Sequence, residues 1–395
     1  MKYSVACCYL THNHTDALSE ILNRCLKVYS DYEIDICIYD DSDDDSTKDL
    51  INGYIDQGAT NLYYIDAHAA KTGDDKYLLA IQGYGLPKTY DYIWPSKDRV
   101  CFDEPFISKL RSAIDEGHDA VVGAFEYARW DVGENLNVDV YTDPVEFYRL
   151  YNVVCTNWEC LIRKRETMLD PIDWDRYTKA YNLSADNSFN QTLTLFGRLA
   201  EMDNCSVKIC RYTNERFLSS KAVSAWGEVI FYLWIEKWVS ANFSLPPIYD
   251  KYKAEAIKSQ TNLSELFGSV EEMISLHKEG IYTKEVFAKY RSVWQFVSNI
   301  PLDRLETIAD GRYQDAMNAT IKDFEQSFID QDFKKAWWLI SANKSLKDHY
   351  DERSYRILVG CFNQYRQDMM SSGVSSVFLG ISSIQDLIER YHFVQ

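Results

Sequence analysis

The segment Ile34-Asp35-Ile36-Cys37-Ile38-Tyr39-Asp40-Asp41-Ser42-Asp43-Asp44-Asp45-Ser46-Thr47 decides the fold of this chain. Its apolar alternation predicts a strand, and five carboxylates follow within six positions. In an open α/β sheet, ligands bind in the crevice beyond the carboxyl ends of the strands. The cluster is therefore a candidate binding site. A polar turn that caps the next helix through Asp45 or Ser46 is the alternative, and each interpretation can hold for different residues of the run.

A strand and a helix precede this segment and complete a βαβ unit. Residues 3–10 are predicted as a buried strand that ends in Thr11-His12-Asn13. Residues 16–29 have the apolar spacing of an amphipathic helix, with Thr15 as the predicted N-cap. Two internal strands joined by a helix predict a right-handed crossover in a parallel sheet. His12 and His14 alternate near the strand end, so we expect them to point to opposite sides and not to form a metal pair.

These residues resemble the nucleotide-binding half of family-2-like glycosyltransferases of the GT-A fold. In that family, a first strand ends in a Thr-x-Asn-like turn, which stands here as Thr11 and Asn13. A second strand ends in Asp-Asp-x-Ser-x-x-x-Thr, and here Asp40-Asp41-Ser42 with Thr47 carry that pattern. The resemblance implies that Asp41 accepts the imide N–H of uracil, while the backbone of Leu10 and Thr11 approaches the base and the ribose.

The resemblance also implies a diphosphate site at the end of the fourth strand. The family presents Asp-x-Asp or Asp-Asp there and binds a divalent ion that bridges both phosphates. Here the corresponding residues are Ser96-Lys97-Asp98, so Asp98 is the single carboxylate and the candidate ligand for Mn²⁺ or Mg²⁺. Lys97 or Arg99 can instead neutralise phosphate directly. An ordinary strand-to-loop turn with a local ion pair is the alternative for Asp98.

An inverting transfer also needs a base for the acceptor hydroxyl. Family members place it in an acidic element that opens a helix, and Asp186 before the predicted helix 188–199 is the nearest equivalent. Asp186 would take the acceptor proton, or it only caps that helix at the positive end of the dipole. Glu159 is the second candidate, and the sequence does not rank the two.

Bulk composition narrows the classes of partner. The chain has 395 residues and is 46% hydrophobic, so it can bury a large core. Its formal net charge of -18 would repel nucleic acids and anionic lipid. The N-terminus opens on a strand-like run, and no stretch of about 20 residues is apolar throughout, so we expect a soluble cytoplasmic protein without an integral membrane segment. Most of the ten cysteines lie in apolar runs, which favours buried free thiols.

The periodicity divides the chain into a sheet-forming half and a helical half. We predict a GT-A-like catalytic domain over 1–222, with a nucleotide half at about 1–125 and an acceptor half at about 126–222. An aromatic-rich helix over 223–250 stops before Pro246 and leads to a helical C-terminal domain over 251–395. The fold class is therefore α/β, a GT-A domain followed by a mostly helical domain. The aromatic content of the C-terminal helices predicts a homo-oligomer contact.

The leading hypothesis is a transferase that moves a hexose or N-acetylhexosamine from a UDP-sugar to a glycan acceptor on a protein or polysaccharide precursor, with inversion. The aromatic segment from 224 to 251 is also similar to bacterial accessory glycosyltransferases that modify serine-rich repeat adhesins. A non-catalytic nucleotide-sugar-binding or scaffold subunit is the alternative, because the first carboxylate of the metal motif is missing. A nucleotidyltransferase ranks last, because residues 10–15 lack the Gly and Arg of a phosphate loop.

Overall fold

The computed structural model describes residues 2–125, 138–183, 189–212, 215–219, 229–263, 267–343 and 345–391. The chain divides into two compact units. The first consists of the described residues within Met1–Ala128, Val138–Trp226 and Glu236–Lys253. The second consists of those within Gly227–Ile235 and Ala254–Gln395. The domain boundaries expected from the sequence stay a prediction.

The strands lie in the first unit and are numbered in chain order. They are β1 (Val5–Thr11), β2 (Ile34–Asp40), β3 (Leu62–Asp66), β4 (Tyr92–Lys97), β5 (Val100–Phe102), β6 (Ala120–Phe125), β7 (Val140–Tyr141), β8 (Leu161–Lys164), β9 (Val207–Tyr212) and β10 (Arg216–Leu218). Eight of them form one sheet in the order β3-β2-β1-β4-β8-β6-β9-β7, and β10 pairs with β5 in a separate ribbon. The pairs β1 with β2, β1 with β4 and β2 with β3 are parallel, as the predicted crossover requires.

Helices cover the sheet and connect its strands. In the first unit they are α1 (Thr15–Asp31), α2 (Ser46–Asp56), α3 (Gly73–Gln82), α4 (Glu104–Asp115), α5 (Pro144–Tyr151), α6 (Trp174–Tyr181), α7 (Asn190–Leu199) and α8 (Trp238–Ser244), with 3-10 turns at Val154–Thr156, Trp158–Cys160 and Pro247–Tyr249 and a π-helical turn at Arg165–Leu169. Another π-helical turn, Tyr232–Lys237, precedes α8, and α8 ends before Leu245 and Pro246 as predicted. Helix α9 (Asp250–Leu263) follows.

The remaining helices belong to the second unit. They are α10 (Val270–Lys278), α11 (Lys284–Lys289), α12 (Arg291–Val297), α13 (Leu302–Ala309), α14 (Tyr313–Ile329), α15 (Phe333–Ala342), α16 (Ser345–His349), α17 (Glu352–Ser372) and α18 (Ile384–Tyr391). No described residue after Leu218 belongs to a strand. The predicted α/β class, a parallel-rich sheet followed by a mostly helical C-terminal region, is confirmed.

The order of the strands places a crevice at the end of β1. The chain runs from β1 outward to β2 and β3, then crosses to the other side of β1 to form β4. This reversal is a topological switch point, where the loops that follow β1 and β4 diverge and leave room for a ligand. In the register, Thr11 lies opposite Asp40, and Leu10 lies opposite Lys97. The predicted site residues on three strands therefore meet at one edge of the sheet.

The core beneath this edge fixes the strands in place. Helix α1 packs its apolar side against the sheet, as its predicted spacing requires, and the buried members of that side include Leu18, Ile21, Leu22 and Cys25. The N-cap prediction is wrong: His14 holds the N-cap position. Thr15 begins the helix, and its hydroxyl instead bonds the hydroxyls of Ser46 at 2.8 Å and Thr47 at 2.9 Å. All ten cysteines are buried free thiols.

Candidate functional site

The loops after β1 and β2 are joined by side-chain hydrogen bonds. The backbone N–H of Asn13 donates to the Ser42 hydroxyl at 2.8 Å, and the Asn13 amide donates to Asp43 at 2.7 Å. Asp43 N–H donates in return to the side-chain oxygen Oδ1 of Asn13 at 3.0 Å. Asn13 has a positive φ of 55°, a conformation that asparagine tolerates better than most residues. These bonds hold the two loops at a fixed separation at the switch point.

The acidic run contains both structural and accessible carboxylates. Asp40 is buried and accepts hydrogen bonds from the backbone and hydroxyl of Ser42, at 3.0 and 2.5 Å, and from the Tyr64 hydroxyl at 3.2 Å. Asp45 holds the N-cap position of α2 without a side-chain cap bond. Asp40 is therefore a structural carboxylate, and Asp45 is an exposed residue at the start of α2. Asp41 differs from Asp40, because its side chain keeps 15% of its surface exposed.

Lys76 on α3 is a partner of Asp41 that sequence reasoning missed. Its ammonium group lies 2.6 Å from Asp41 Oδ1 and donates to the Thr11 carbonyl oxygen, also at 2.6 Å. His12 Nδ1 lies 3.1 Å from the same Asp41 oxygen. The Lys76 side chain is only 4% exposed. A buried lysine must pair its charge, so Asp41 and Lys76 form one structural unit that joins β1, β2 and α3.

The end of β4 contributes a second set of charged groups. Ser96 is buried in the strand, and Lys97 and Asp98 follow it towards the crevice. Asp98 Oδ2 lies 2.8 Å from His14 Nδ1, and this hydrogen bond raises the pKa of His14. Arg99 is half-buried and its backbone carbonyl accepts from Ser219 N–H at 2.9 Å. His12 and His14 thus contact different carboxylates, as their alternation predicts.

Glu159 lies behind β4 and is sealed from solvent. Lys97 Nζ lies 3.3 Å from its Oε2, and an Arg216 nitrogen lies 2.7 Å from its Oε1. Burial alone would raise the pKa of Glu159, but the two cations outweigh burial and hold the pKa below its usual value. Lys97 also donates to the Asn157 amide oxygen at 3.3 Å. The predicted role of Glu159 as a base stays a prediction, and its surroundings are those of a buried anion that holds Lys97. Asp186, the other candidate base, lies outside the described residues.

The end of β4 and the loop after β1 offer two possible ligands for a divalent ion, but not the pair of carboxylates that the resembling family presents. Asp98 and His14 offer one carboxylate and one imidazole at the diphosphate corner, and both are ligands that Mn²⁺ accepts. Across the described residues, no group of three or more His, Cys, Asp or Glu side chains is arranged to hold a metal. Such an ion would therefore take its remaining ligands from phosphate and water, as Mg²⁺ commonly does.

Asp74, in the first turn of α3, is a further titratable group that the sequence did not single out. It precedes Lys76 on α3, next to Gly73, whose backbone lies near the Trp158 ring, and the Tyr77 ring is tilted against that ring with the centroids 5.7 Å apart. Its Oδ1 is buried without a hydrogen-bond partner. Burial, with a smaller contribution from Asp75, raises the pKa of Asp74 to about 8. The carboxyl group is therefore protonated in the folded protein at neutral pH.

We expect Asp74→Asn to stabilise the protein more at pH 9 than at pH 5. Unfolded, Asp74 ionises near its ordinary pKa of 3.8, whereas the folded chain keeps the proton up to about pH 8. Between these values only the unfolded state loses the proton, so stability falls as pH rises, and asparagine removes that loss. Thermal melts at both pH values measure the effect, with exposed Asp56→Asn as the control. An equal shift at both pH values would contradict the raised pKa.

The fold and the site together define the class of the protein. It is a mixed α/β chain with a parallel-rich sheet, and charged side chains from β4, α3 and the loops after β1, β2 and β4 lie at the topological switch point. No helix among the described residues is long and apolar enough to cross a membrane. No protein-family model matches the chain, and no curated protein sequence does.

Solved structures of several glycosyltransferases are similar to the chain. S. aureus TarS 1-349 has 11% identity and a TM-score of 0.43, covering 99% of this chain and 92% of that chain. The mannosyltransferase PcManGT from Pyrobaculum calidifontis, in complex with GDP-Man and Mn²⁺, has 12% identity and a TM-score of 0.43, covering 89% and 88%. Glucosyl-3-phosphoglycerate synthase from Mycobacterium tuberculosis, with Mn²⁺, UDP and phosphoglyceric acid, has 12% identity and a TM-score of 0.28, covering 42% and 57%.

Proposed function

We propose that the protein is a glycosyltransferase that moves a hexose or N-acetylhexosamine from a UDP-sugar to a hydroxyl of a glycan acceptor, on a protein or polysaccharide precursor. The observation that carries this proposal is the position of Asp41. Its carboxylate is accessible at the switch-point crevice, beside the Asp98 and Lys97 end of β4. One edge of the sheet thus offers an acceptor for a base N–H and charged groups for a diphosphate.

Each group of site residues has a role in this proposal. Asp41 accepts the imide N–H of uracil, and the backbone of Leu10 and Thr11 borders the base and ribose. Asp40 and Asn13 shape the two loops through the hydrogen bonds described above. Ser96, Lys97, Asp98 and Arg99 face the diphosphate. Glu159 holds Lys97 in position, because its buried anion compensates the ammonium charge.

The reaction is a direct displacement with inversion. The acceptor oxygen attacks the anomeric carbon, Asp186 takes the proton from that hydroxyl, and the bond from the anomeric carbon to the diphosphate oxygen breaks. Asp98 and His14 would hold a divalent ion, Mn²⁺ or Mg²⁺, which would neutralise the charge that develops on the departing diphosphate. Lys97 and Arg99 supply positive charge from the protein to the same leaving group.

Turnover of UDP-sugars tests the proposal. We expect the intact chain to release UDP from at least one sugar of a UDP-hexose and UDP-N-acetylhexosamine panel, when Mn²⁺ and glycan acceptors are present. Asp98→Asn should lower this rate about a hundredfold, because one charged group that stabilises the leaving diphosphate is lost. Asp103→Asn, an exposed carboxylate of the same unit, is the matched control. Full activity of Asp98→Asn would remove Asp98 from the mechanism.

A non-catalytic nucleotide-sugar-binding subunit is the second candidate. The single carboxylate at the end of β4 favours it, because Asp98 is already paired with His14. Such a chain would bind UDP and release none from any UDP-sugar above background. The link to adhesin-modifying enzymes and the homo-oligomer contact through the C-terminal helices stay predictions.

A further inference from the structure

The two oxygens of the Asp41 carboxylate have different surroundings. Oδ1 is within 2.6 Å of Lys76 Nζ and within 3.1 Å of His12 Nδ1. Oδ2 has no hydrogen bond or ion pair with any residue in the described ranges. Because the side chain is partly exposed, a ligand in the crevice can reach the carboxylate. One oxygen is thus used by the protein, and the other is available.

Lys76 is held firmly enough to keep this asymmetry. Its ammonium group has a second acceptor, the Thr11 carbonyl oxygen at 2.6 Å, at the end of β1. The first turn of α3 is capped, because the Thr72 hydroxyl accepts from Asp75 N–H at 3.2 Å. Turning the carboxylate so that both oxygens face the base would separate a nearly buried ammonium group from its anion, which is costly.

Nucleobases differ in the number of donors they offer to a carboxylate. Uracil presents one imide N–H between two carbonyl groups, so a single oxygen satisfies it. Guanine presents a ring N–H and an exocyclic amino group side by side, and both are satisfied only by the two oxygens of a free carboxylate. Cytosine presents a lone pair at the equivalent ring nitrogen, which an anionic oxygen repels. A carboxylate with one available oxygen therefore fits uracil and leaves a guanine donor unpaired.

We propose that Lys76 is the residue that makes this site select uracil over guanine, by holding Asp41 Oδ1 and leaving only Oδ2 for the base. Lys76 is a positioning residue, because it acts through Asp41. His12 supports it from the exposed side of the same oxygen. The inference rests on the proposed nucleotide site and adds the basis of its selectivity. Discrimination arises because a buried donor without an acceptor weakens the binding of the wrong base.

Calorimetric titration with UDP and GDP, in the presence of Mn²⁺, tests the inference. The wild-type chain should bind UDP at least about tenfold more tightly than GDP, the effect of one unpaired donor to a charged group. Lys76→Met keeps an apolar stem of similar length and removes the ammonium group from Oδ1, and the double variant with His12→Ala removes both contacts and frees Oδ1. In the double variant the ratio of GDP affinity to UDP affinity should rise about tenfold, and in Lys76→Met it should rise by less.

The ratio separates selectivity from folding. A merely structural role of Lys76 would weaken UDP and GDP equally and leave the ratio unchanged, which would overturn the inference. Lys76→Arg keeps a donor for Oδ1 and should retain the wild-type ratio of GDP affinity to UDP affinity. Lys48→Met, at an exposed lysine of α2, is the control and should leave both affinities unchanged. If Lys76→Met does not fold, the inference is still tested by the wild-type preference for UDP over GDP and by the ratio of GDP affinity to UDP affinity in Lys76→Arg. Equal wild-type affinities for UDP and GDP overturn this inference alone, whereas no binding of either nucleotide overturns the proposed site with it.

Discussion

Asp41→Asn is expected to weaken UDP binding by about ten- to a hundredfold, the range for loss of a hydrogen bond to a charged group. The substitution keeps the shape of the side chain and removes the anion. An amide can still offer an oxygen to the base, but that oxygen is a weaker acceptor, and the amide group can also turn its N–H₂ towards the imide. Isothermal titration calorimetry of wild type and variant with UDP measures the difference.

The same substitution leaves the nearly buried Lys76 ammonium group without its anion, which lowers the stability of the fold. UDP binding must therefore be compared under conditions where both proteins are folded. Thermal melting of each variant, with titration well below the midpoint, separates lost affinity from lost structure. Asp45→Asn is the matched control, because Asp45 lies on the same loop, is exposed, and its ion pair with Lys48 spans 3.7 Å. An Asp41→Asn variant that binds UDP as tightly as wild type would contradict the assigned role of Asp41.

Glu159→Gln is expected to lower the free energy of unfolding by about 3 kcal/mol. That figure is the low end of the range for breaking a buried pair, because Lys97 and Arg216 keep partial access to solvent. The neutral amide leaves both cations without their common anion. Urea unfolding of variant and wild type measures the change. Glu116→Gln, whose exposed carboxylate pairs with His118, should cost less than about 1 kcal/mol.

Glu159 also tests which residue is the base. If Glu159 holds Lys97, the variant loses stability and some affinity for the diphosphate, and both losses shrink at low pH. The reason is that the pKa of Glu159 is depressed in the folded chain, so its contribution is present above the ordinary pKa and is lost as pH falls through the folded value. Wild-type stability combined with abolished turnover would instead make Glu159 the proton acceptor.

The first strands and their loops could be predicted because their signals are local. The apolar runs of β1 and β2, with a helical pattern between them, predicted that the two strands pair in parallel, and they do. The acidic run lies at the end of β2, as expected. The Thr15 cap failed for a tertiary reason. Its hydroxyl finds partners on the start of α2, 31 and 32 residues away, which helix-start rules do not include.

The partners of the candidate site could not be predicted, because they come from distant parts of the chain. Lys76 stands 35 residues from Asp41, and it follows two aspartates in the polar first turn of α3, where a lysine is expected to be exposed. Arg216 stands 57 residues from Glu159 on a three-residue strand. Strands β8 and β10 are too short for an alternation pattern to be recognised. The packing of α3 on the sheet and the pairing of β10 with β5 bring these charges to their partners.

The central claim is that the crevice at the ends of β1, β2 and β4 binds UDP through Asp41. A crystal of the intact chain soaked with UDP and Mn²⁺ tests this claim most directly. We expect the uracil ring nitrogen within hydrogen-bond distance of Asp41 Oδ2, Lys76 still on Oδ1, and the diphosphate beside Asp98. Nucleotide density elsewhere on the molecule, or an empty crevice at saturating UDP, would contradict the account.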